Sequence, residues 1–343
     1  MFVNSNTQNH ISAIPALDNQ LRPKNWSDYI GQEKVKKTLQ IMIGASKKRS
    51  EALDHILLYG NPGLGKTTLS YIIAKQRDVN IHVTSGPALR KSGDLASILS
   101  NLSEGDVLFI DEIHRLNTIC EELIYPAMED FKLDLIVGSG PMAQNMEINL
   151  PKFTLIAATT RIANLSSPLR SRFGATFQLN PYTEQELSEI ILKSAQILNI
   201  AITAQAAQLI AQSSRATPRI ANHLLKRVRD FAQVNNLDII EPQTVKEVFD
   251  FMEIDSRGLG PEDRKILTTI IKAFDGGPVG LKTLAAATIE DEDCIIDIYE
   301  PYLLQLGFLE RTARGRKVTN LAYEYLKMKK IGSTLVWQKS IFL

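Results

Sequence analysis

The stretch Gly60-Asn61-Pro62-Gly63-Leu64-Gly65-Lys66-Thr67 fits the phosphate-binding pattern G-x-x-x-x-G-K-[ST]. In this pattern the glycines let successive backbone N–H groups turn toward a polyphosphate without side-chain clashes. Lys66 brings a positive charge to the β- and γ-phosphate oxygens, and the Thr67 hydroxyl can complete the coordination shell of Mg²⁺. The alternative is a glycine turn that precedes a lysine by chance.

The residues on either side of this loop predict the strand and the helix that a phosphate loop requires. The apolar run Ile56–Tyr59 suits a short buried strand. After the loop, Leu69, Ile72 and Ile73 recur at helical spacing, so the loop opens onto a helix N-terminus and its partial positive charge. We therefore predict that the chain binds ATP at this loop.

A second motif, Val107-Leu108-Phe109-Ile110-Asp111-Glu112, supplies the carboxylates of an ATPase site. Its four apolar residues predict a buried parallel strand, and its two carboxylates follow at the carboxyl end, where open α/β sheets bind ligands. We expect Asp111 to hold Mg²⁺, directly or through water, and Glu112 to polarise the attacking water. The alternative is a strand that ends in a solvated acidic turn, and the preceding phosphate loop makes it the weaker interpretation.

The composition is that of a soluble enzyme. The chain has 343 residues, 44% of them hydrophobic and 22% charged, with a formal net charge of +1. This length predicts two or three domains with ample core. Its only cysteines, Cys120 and Cys294, are too few for a disulfide scaffold or a zinc cluster. The sequence has no apolar run of about 18 residues and no signal-peptide core, so we expect a cytoplasmic protein.

The order of the predicted elements indicates an α/β domain followed by a helical one. Strands that alternate with helices predict a parallel sheet, whereas only helices follow Thr183. The strand candidates are residues 56–59, 81–83, 107–110 and 153–158, and the later helices are residues 186–198, 204–213, 218–233 and 242–252. A connector that carries glycine and proline, residues 255–261, then begins a third unit.

The third unit is predicted to be a winged helix with a basic wing. Helical segments at residues 264–274, 281–288 and 293–305 precede two β-like stretches at residues 308–312 and 317–319. Cations of this ribbon would contact DNA phosphates without reading sequence. They are Arg311, Arg314, Arg316 and Lys317. The acidic run Glu290-Asp291-Glu292-Asp293 would repel phosphates, so we expect the wing and not the third helix on DNA. The alternative is a protein-binding winged helix, which the fold alone does not exclude.

Three further residues suggest how a motor would sense and cleave its nucleotide. Thr160 follows the strand candidate 153–158, where a hydroxyl can sense the γ-phosphate or fix the lytic water. Arg172, or Arg170 beside it, lies on a turn near the ligand edge of the sheet and could act as an arginine finger in a neighbouring subunit. The alternative is a solvated basic turn. Arg219 lies in the first turn of a predicted helix, where its positive charge is repelled by the helix dipole. A bound phosphate would offset this repulsion, so we predict that Arg219 contacts the nucleotide.

These motifs, in this order, resemble those of AAA+ ATPases, and longer strings resemble the RuvB family of Holliday junction branch migration motors. The resemblance extends from about Leu21 to Lys330. The strings that carry it are Leu21-Arg22-Pro23, Tyr29-Ile30-Gly31-Gln32, Tyr125-Pro126-Ala127-Met128-Glu129-Asp130, Gly276-Gly277-Pro278-Val279-Gly280-Leu281 and Arg314-Gly315-Arg316. Three positions depart from the family pattern: Ala313 replaces an expected proline in the wing, Ala216 stands where glycine usually precedes Thr-Pro-Arg, and Trp26 is unusual in its segment.

The resemblance implies a fold of three parts and a DNA motor. The expected fold is an α/β AAA+ P-loop domain with a parallel sheet at residues 21–181, a small all-helical lid domain at 182–255 and a C-terminal winged-helix DNA-binding domain at 256–330. Residues 1–20 are expected to be disordered, and residues 331–343 form a tail of unknown role. Hexameric rings would act on duplex and four-way junction DNA with RuvA, with the resolvase RuvC as a further candidate partner, in homologous recombination and DNA repair. The alternatives are a clamp-loader or replication-initiation AAA+ protein, and a DNA-binding regulator for which the nucleotide is only a switch.

The resemblance also implies roles for individual residues. Arg172 corresponds to the arginine finger and Arg219 to the second nucleotide sensor. Alternating apolar residues and a glycine-rich turn predict a hairpin at residues 132–150, which is either a covered ribbon or an exposed partner site. By the resemblance it corresponds to the segment that binds RuvA. The implied nucleotide pocket comprises Leu21, Arg22, Tyr29 and Ile30 near adenine, Gly63, Gly65, Lys66, Thr67 and Thr68 at the phosphates, and Glu129, Asp130, Phe131, Arg172, Tyr182 and Arg219 around them.

Overall fold

A computed structural model describes residues 20–137 and 144–328 of the chain. The predictions for residues 1–19, for the turn of the hairpin and for the tail at 331–343 fall outside these ranges. The chain divides into two compact units, Met1–Val245 and Lys246–Leu343. Within the described ranges, none of the helices combines the length and the apolar character needed to cross a membrane.

The first unit is built on a parallel sheet of five strands in the order β2-β3-β6-β1-β7. The strands are β1 Ile56–Tyr59, β2 Ile81–Ser85, β3 Val107–Asp111, β6 Thr154–Thr159 and β7 Ala175–Gln178. β1, β3 and β6 lie in the interior of the sheet and are almost wholly buried, which explains why each reads as an unbroken apolar run. The predicted parallel α/β fold is therefore confirmed.

One strand of this sheet was not predicted. β7 lies at the edge beside β1, and its residues alternate between half-buried and exposed. Its sequence, Ala-Thr-Phe-Gln, holds one large apolar residue, so it lacks the apolar run that identified the buried strands.

Helices cover the sheet and contribute to its core. They are Glu33–Arg49, Lys66–Arg77, Ser92–Ser100, Thr118–Glu129 and Ser167–Ser171. One core cluster joins β3 and β6 to the helix Thr118–Glu129 through the fully buried side chains of Leu108, Leu155 and Ile124. Because these strands are held rigidly, the polar residues at their carboxyl ends have fixed positions.

The predicted hairpin is present. β4 Lys132–Val137 pairs antiparallel with β5 Gln144–Asn149, with Leu133 opposite Ile148. Leu133 is buried, whereas Met146 on β5 is 52% exposed. Lys132 and Glu147 form an ion pair of 2.8 Å across the two strands.

The rest of the first unit is helical apart from one short addition. Its helices are Glu184–Ile197, Ala204–Gln212 and Pro218–Val234, and Pro242–Phe251 follows across the boundary between the units. Thr183 caps the first of them through reciprocal bonds with Glu186, which is why the helix begins there. One parallel pair of two-residue strands, Ala201–Ile202 (β8) and Ile239–Ile240 (β9), adds a minimal ladder to the predicted helices. Two residues per strand are too few to give a period in the sequence.

The second unit is the predicted winged helix. Its helical segments are Pro261–Ala273, Leu281–Thr288, Glu292–Cys294, a π-helical turn Ile295–Tyr299, Glu300–Gln305 and Asn320–Tyr325. β10 Leu309–Thr312 and β11 Gly315–Val318 form the wing hairpin. Val279 and Arg316 exchange two backbone hydrogen bonds of 2.8 Å, so the hairpin is tied to the helical body along one edge.

Candidate functional site

The phosphate loop is closely packed against two aromatic side chains and the lid. Gly65 has a φ of +94°, and a Cβ there would lie 2.9 Å from the Tyr29 hydroxyl, so both conformation and space favour glycine. A Cβ on Gly63 would lie 3.0 Å from Cβ of Arg219. Arg219, in the first turn of the helix Pro218–Val234, therefore lies against the phosphate loop.

Lys66 is the first residue of the helix Lys66–Arg77 and is only 7% exposed. Its Nζ donates to the carbonyl oxygens of Gly60 at 2.8 Å and Asn61 at 3.0 Å. Burial lowers the pKa of Lys66, while the charges of Asp111 and Glu112 oppose that shift. The amine is thus held within the loop and beside both predicted catalytic carboxylates.

Asp111 and Thr67 form the pair that would hold a metal. Burial raises the pKa of Asp111 and the charge of Glu112 raises it further, whereas Lys66 and a hydrogen bond with Thr67 lower it. A carboxylate beside a hydroxyl offers the oxygen ligands that Mg²⁺ prefers when substrate phosphates and water complete its shell. The described ranges contain no group of three or more His, Cys, Asp or Glu side chains that could hold a metal ion by themselves. The donor set therefore fits Mg²⁺ bound together with a nucleotide.

The carboxylate of Glu112 is held by two side chains. Its Oε2 accepts a hydrogen bond from the Thr160 hydroxyl at 3.2 Å and lies 3.1 Å from Nδ1 of His114. The same Nδ1 lies 2.9 Å from the Thr159 hydroxyl. Sequence reasoning assigned no role to His114, although its position two residues after Glu112 was the available signal.

Tyr29 and Tyr182 meet at the phosphate loop. Both hydroxyls approach the carbonyl oxygen of Leu64, at 3.4 Å for Tyr29 and 3.5 Å for Tyr182. Burial is the main cause that raises the pKa of Tyr182 to about 12 and that of Tyr29 well above its ordinary value. Both phenols therefore stay protonated at neutral pH. The backbone N–H of Tyr182 donates to the carbonyl of Ala216 at 3.0 Å, which links the chain entering the lid to the turn before Arg219.

That turn is strained where the sequence departs from the family pattern. Ala216 has a φ of +54°, in the left-handed region that glycine adopts without penalty. Arg215 before it also has a positive φ, of 49°. A glycine at position 216 would remove part of this strain, which accounts for the glycine expected there.

The remaining residues of the implied pocket lie at several places around the sheet. Leu21 is buried and Ile30 and Thr68 are half-buried. Arg22 lies over the ring of Tyr71 at 4.9 Å and lines a cavity of about 610 Å³ with Lys24 and Lys75. The ring of Phe131 packs edge-on against Phe153, and Asp130 is exposed.

Arg172 and Glu129 contact each other in a second cluster of side chains. Nη2 of Arg172 lies 3.2 Å from a carboxylate oxygen of Glu129, and its Nη1 donates to the carbonyl of Pro168 at 2.7 Å. Its guanidinium carbon lies 4.3 Å from the centre of the Tyr125 ring. Arg170, the alternative finger, is exposed. One chain thus carries a phosphate-loop cluster and a second cluster of Arg172, Glu129, Pro168 and Tyr125, which we call the finger cluster after the role predicted for Arg172.

In the wing, two of the three predicted DNA-binding arginines have a buried partner. Glu300, with its side chain fully buried, accepts hydrogen bonds from Arg311 and Arg316 at 2.8 to 3.2 Å. Burial alone would raise the pKa of Glu300, but the two arginines outweigh it and lower the pKa below its ordinary value. Arg311 remains 53% exposed, whereas Arg316 is 15% exposed. Arg314 lies exposed at the turn of the hairpin.

Three family models match consecutive parts of the chain. They are the Holliday junction DNA helicase RuvB P-loop domain at residues 21–179, the RuvB AAA lid domain at residues 182–255 and the RuvB C-terminal winged helix domain at residues 256–327. The Holliday junction branch migration complex subunit RuvB of Dehalococcoides mccartyi (strain CBDB1) is 55% identical over 312 residues, which cover 91% of this chain and 89% of that protein.

Solved structures agree with these matches. The Thermotoga maritima RuvB Holliday junction branch migration motor is 52% identical and superposes with a TM-score of 0.83, covering 90% of this chain and 99% of that one. A point mutant of Thermotoga maritima RuvB covers the same shares with a TM-score of 0.84.

Proposed function

The chain belongs to the RuvB family of AAA+ ATPases, the motor subunits of Holliday junction branch migration, and we propose that it couples ATP hydrolysis to the movement of duplex DNA through a four-way junction. The three matched domains follow one another in the order of the family. The clamp-loader and replication-initiation alternatives lose their support, because all three domains match RuvB models. We retain residues 21–181, 182–255 and 256–330 as the proposed domain bounds.

In the proposed reaction, the phosphate loop binds ATP and the ends of β3 and β6 act on its γ-phosphate. Lys66 neutralises phosphate charge, and Thr67 and Asp111 hold Mg²⁺, which would supply further charge neutralisation to the phosphates. Glu112 polarises the attacking water, and Thr160 fixes the Glu112 carboxylate. Little covalent chemistry is needed from the protein in phosphoryl transfer, so positions and charges decide the rate.

We propose that the finger cluster completes the site of a neighbouring protomer. The observation that carries this step is that Arg172 contacts Glu129, Pro168 and Tyr125 of its own chain, in a cluster apart from the phosphate loop. A ring of identical chains would bring each finger cluster to the next phosphate loop. We retain the hexamer as the proposed assembly.

The proposed partners follow from the family and from two surfaces. Arg314 at the wing tip would contact DNA phosphates, with Arg311 and Lys317 beside it. The hairpin at residues 132–150 would bind RuvA, and the exposed Met146 supports an interaction there. RuvC is a further proposed partner, and we place the reaction in the cytoplasm.

Mixed rings test the shared site. Arg172→Ala should bind ATP normally but hydrolyse it on the order of 10³-fold more slowly, as expected for the loss of an arginine finger. Lys66→Ala should be inactive at its own phosphate loop. A mixture of the two variants should recover turnover, since each provides what the other lacks. Absence of recovery would contradict the proposal, as would full ATP turnover at dilutions where only monomer remains.

A junction assay tests the motor function itself. The chain, RuvA and ATP should convert a synthetic four-way DNA into two duplexes, and four-way DNA with RuvA should raise the ATPase rate. A chain that hydrolyses ATP in this assay but never separates the junction would belong to another class of AAA+ protein.

A further inference from the structure

The guanidinium of Arg172 is fixed in orientation as well as in position. Its two terminal nitrogens are bound at one edge by Glu129 and Pro168, and one face lies 4.3 Å from the centre of the Tyr125 ring. Contacts at both its face and its edge restrict the orientation of a planar cation. The side chain is nevertheless 21% exposed, so part of it remains accessible.

Tyr125 is itself anchored. Its hydroxyl donates to Oε1 of Glu121 at 2.5 Å, and the Ser166 hydroxyl donates to the same oxygen. Glu121 lies one turn earlier in the helix Thr118–Glu129, whereas Ser166 caps the helix Ser167–Ser171 that leads into Arg172. The Tyr125 ring therefore joins the helix that carries Glu129 to the helix that carries the finger.

The arrangement around Arg172 is not the one that stability alone would favour. Within the described part of the chain, the buried Nε of Arg172 has no hydrogen-bond partner. A buried donor without a partner lowers stability, and such groups in folded proteins call for an explanation. The recorded hydrogen bonds of the Arg172 guanidinium are thus made by its two terminal nitrogens.

We propose that Tyr125 is a positioning residue for the arginine finger: its ring sets the direction in which each chain presents Arg172 to the nucleotide of its neighbour. This inference rests on the proposed function of Arg172. An oriented guanidinium needs little reorganisation when it meets the transition state, so the activation free energy is lower and ATP hydrolysis is faster. The effect of a Tyr125 substitution should therefore appear at the neighbouring site and not at the phosphate loop of the altered chain.

The first measurement compares Tyr125→Leu with Tyr125→Phe. Loss of the ring should lower the ring-dependent ATPase rate by about 10-fold, in line with the strength of a partly buried cation–π contact. Tyr125→Phe keeps the face beneath the guanidinium but loses the hydroxyl that anchors the ring, so its rate should fall by about threefold, less than that of Tyr125→Leu. Nucleotide affinity should be unchanged in both variants, because neither alters the phosphate loop.

The second measurement separates positioning from a general structural role. Tyr125→Leu is mixed with Lys66→Ala, whose finger cluster is intact, so that the phosphate loop of the Tyr125→Leu chain receives a correctly oriented Arg172. Turnover per functional phosphate loop should rise toward the parent value. The mixture of Arg172→Ala with Lys66→Ala serves as the reference.

The outcomes distinguish the two proposals. Recovery in both mixtures supports the role of Tyr125. Recovery with Arg172→Ala but not with Tyr125→Leu overturns that role and leaves the finger assignment standing. Lack of recovery in the reference mixture overturns the shared site and, with it, this inference.

A milder pair of variants keeps the test valid if Tyr125→Leu fails to assemble. Glu121→Gln weakens the bond that anchors the Tyr125 hydroxyl, whereas Glu122→Gln alters an exposed neighbour on the same helix. Glu121→Gln should lower turnover, and mixing with Lys66→Ala should restore it, while Glu122→Gln should match the parent. Equal rates for these two variants would contradict the proposed anchor and the role of Tyr125.

Discussion

The hydroxyl of Thr160 donates to Oε2 of Glu112 across 3.2 Å, which joins the ends of β6 and β3 at the ligand edge of the sheet. Nδ1 of His114 lies 3.1 Å from the same oxygen. One hydrogen bond and one close imidazole therefore contact the same carboxylate oxygen of Glu112. The carboxylate expected to act on the lytic water is thus positioned by the neighbouring strand.

Replacing Thr160 with valine should slow hydrolysis without weakening nucleotide binding. The substitution removes one donor to Glu112 while it keeps the branched shape, and loss of one preorganised donor lowers rates on the order of 10²-fold. Thr160→Ser keeps the hydroxyl and should retain most of the activity. Steady-state ATPase rates and fluorescence titration of a labelled nucleotide measure the two effects. Equal rates for valine and serine would rule out a role for the hydroxyl.

Gly31→Ala should weaken nucleotide binding, whereas Gly44→Ala should not. Gly31 has a φ of +76°, and a Cβ there would lie 2.7 Å from the Tyr182 ring. An alanine would strain the backbone and displace Tyr182 from the phosphate loop, lowering the free energy of unfolding by more than about 1 kcal/mol.

Gly44 provides the matched control. It lies inside the helix Glu33–Arg49 with open space around its Cα, so alanine there should stabilise the protein by about 0.5–1 kcal/mol. Chemical denaturation and nucleotide titration of both variants test the contrast. A normal nucleotide affinity for Gly31→Ala would show that the position of Tyr182 does not affect the phosphate loop.

Glu300→Gln should destabilise the winged-helix unit. It leaves Arg316, which is 15% exposed, without its counter-charge, and breaking one side of a buried ion pair costs about 3 kcal/mol. Hydrogen exchange of residues 309–318 in the full chain measures the loss. Glu324→Gln, on an exposed position of the same unit, serves as the control.

The stabilisation by Glu300 should depend on pH in a defined direction. Because its two arginine partners lower its pKa below the ordinary value of 4.5, the folded unit favours the ionised carboxylate. This contribution is complete above that value and is lost as the pH falls through the lower, folded-state pKa. The difference in stability between parent and Glu300→Gln should therefore be constant at neutral pH and shrink in acid. A difference that grows in acid would contradict this assignment.

Arg314→Ala should weaken duplex binding without affecting stability. Arg314 is exposed at the hairpin turn, so its loss should lower the slope of log affinity against log salt concentration by about 0.9, for any DNA sequence. Lys272→Ala, an exposed cation elsewhere in the unit, should leave the slope unchanged. Identical salt dependence for the two variants would exclude a phosphate contact by Arg314.

The elements that sequence reasoning identified are those with a strong local signal. β1 and the helix Leu281–Thr288 have the predicted bounds. An apolar run marks the ends of β1, and a glycine directly before a segment of helical period marks the start of the helix. β7 was missed because an edge strand needs only one apolar face, and β8 and β9 are too short to show a period. Local patterns therefore predicted the buried strands better than the edges.

The site was predictable as far as its residues lie within motifs. Lys66, Asp111 and Glu112 lie together as their motifs predicted, since parallel strands end at one edge. By contrast, the residues that hold the predicted arginines in place are remote from them in sequence or belong to no functional motif. Tyr125 lies 47 positions before Arg172, and Glu300 lies on the helix before the wing. The sequence predicted charges at Arg311 and Arg316, but only the packing reveals the carboxylate that holds them.

The double backbone bond between Val279 and Arg316 has a mechanical consequence for a protein that pulls on DNA. It secures β11 along one edge, and a Cβ on Gly315 would collide with the Val279 carbonyl, so only glycine lets the two segments approach this closely. A load applied at the tip along the strand would stretch several such bonds together instead of breaking them one after another. For a wing that contacts DNA as proposed, these bonds would oppose bending where the hairpin meets the helical body.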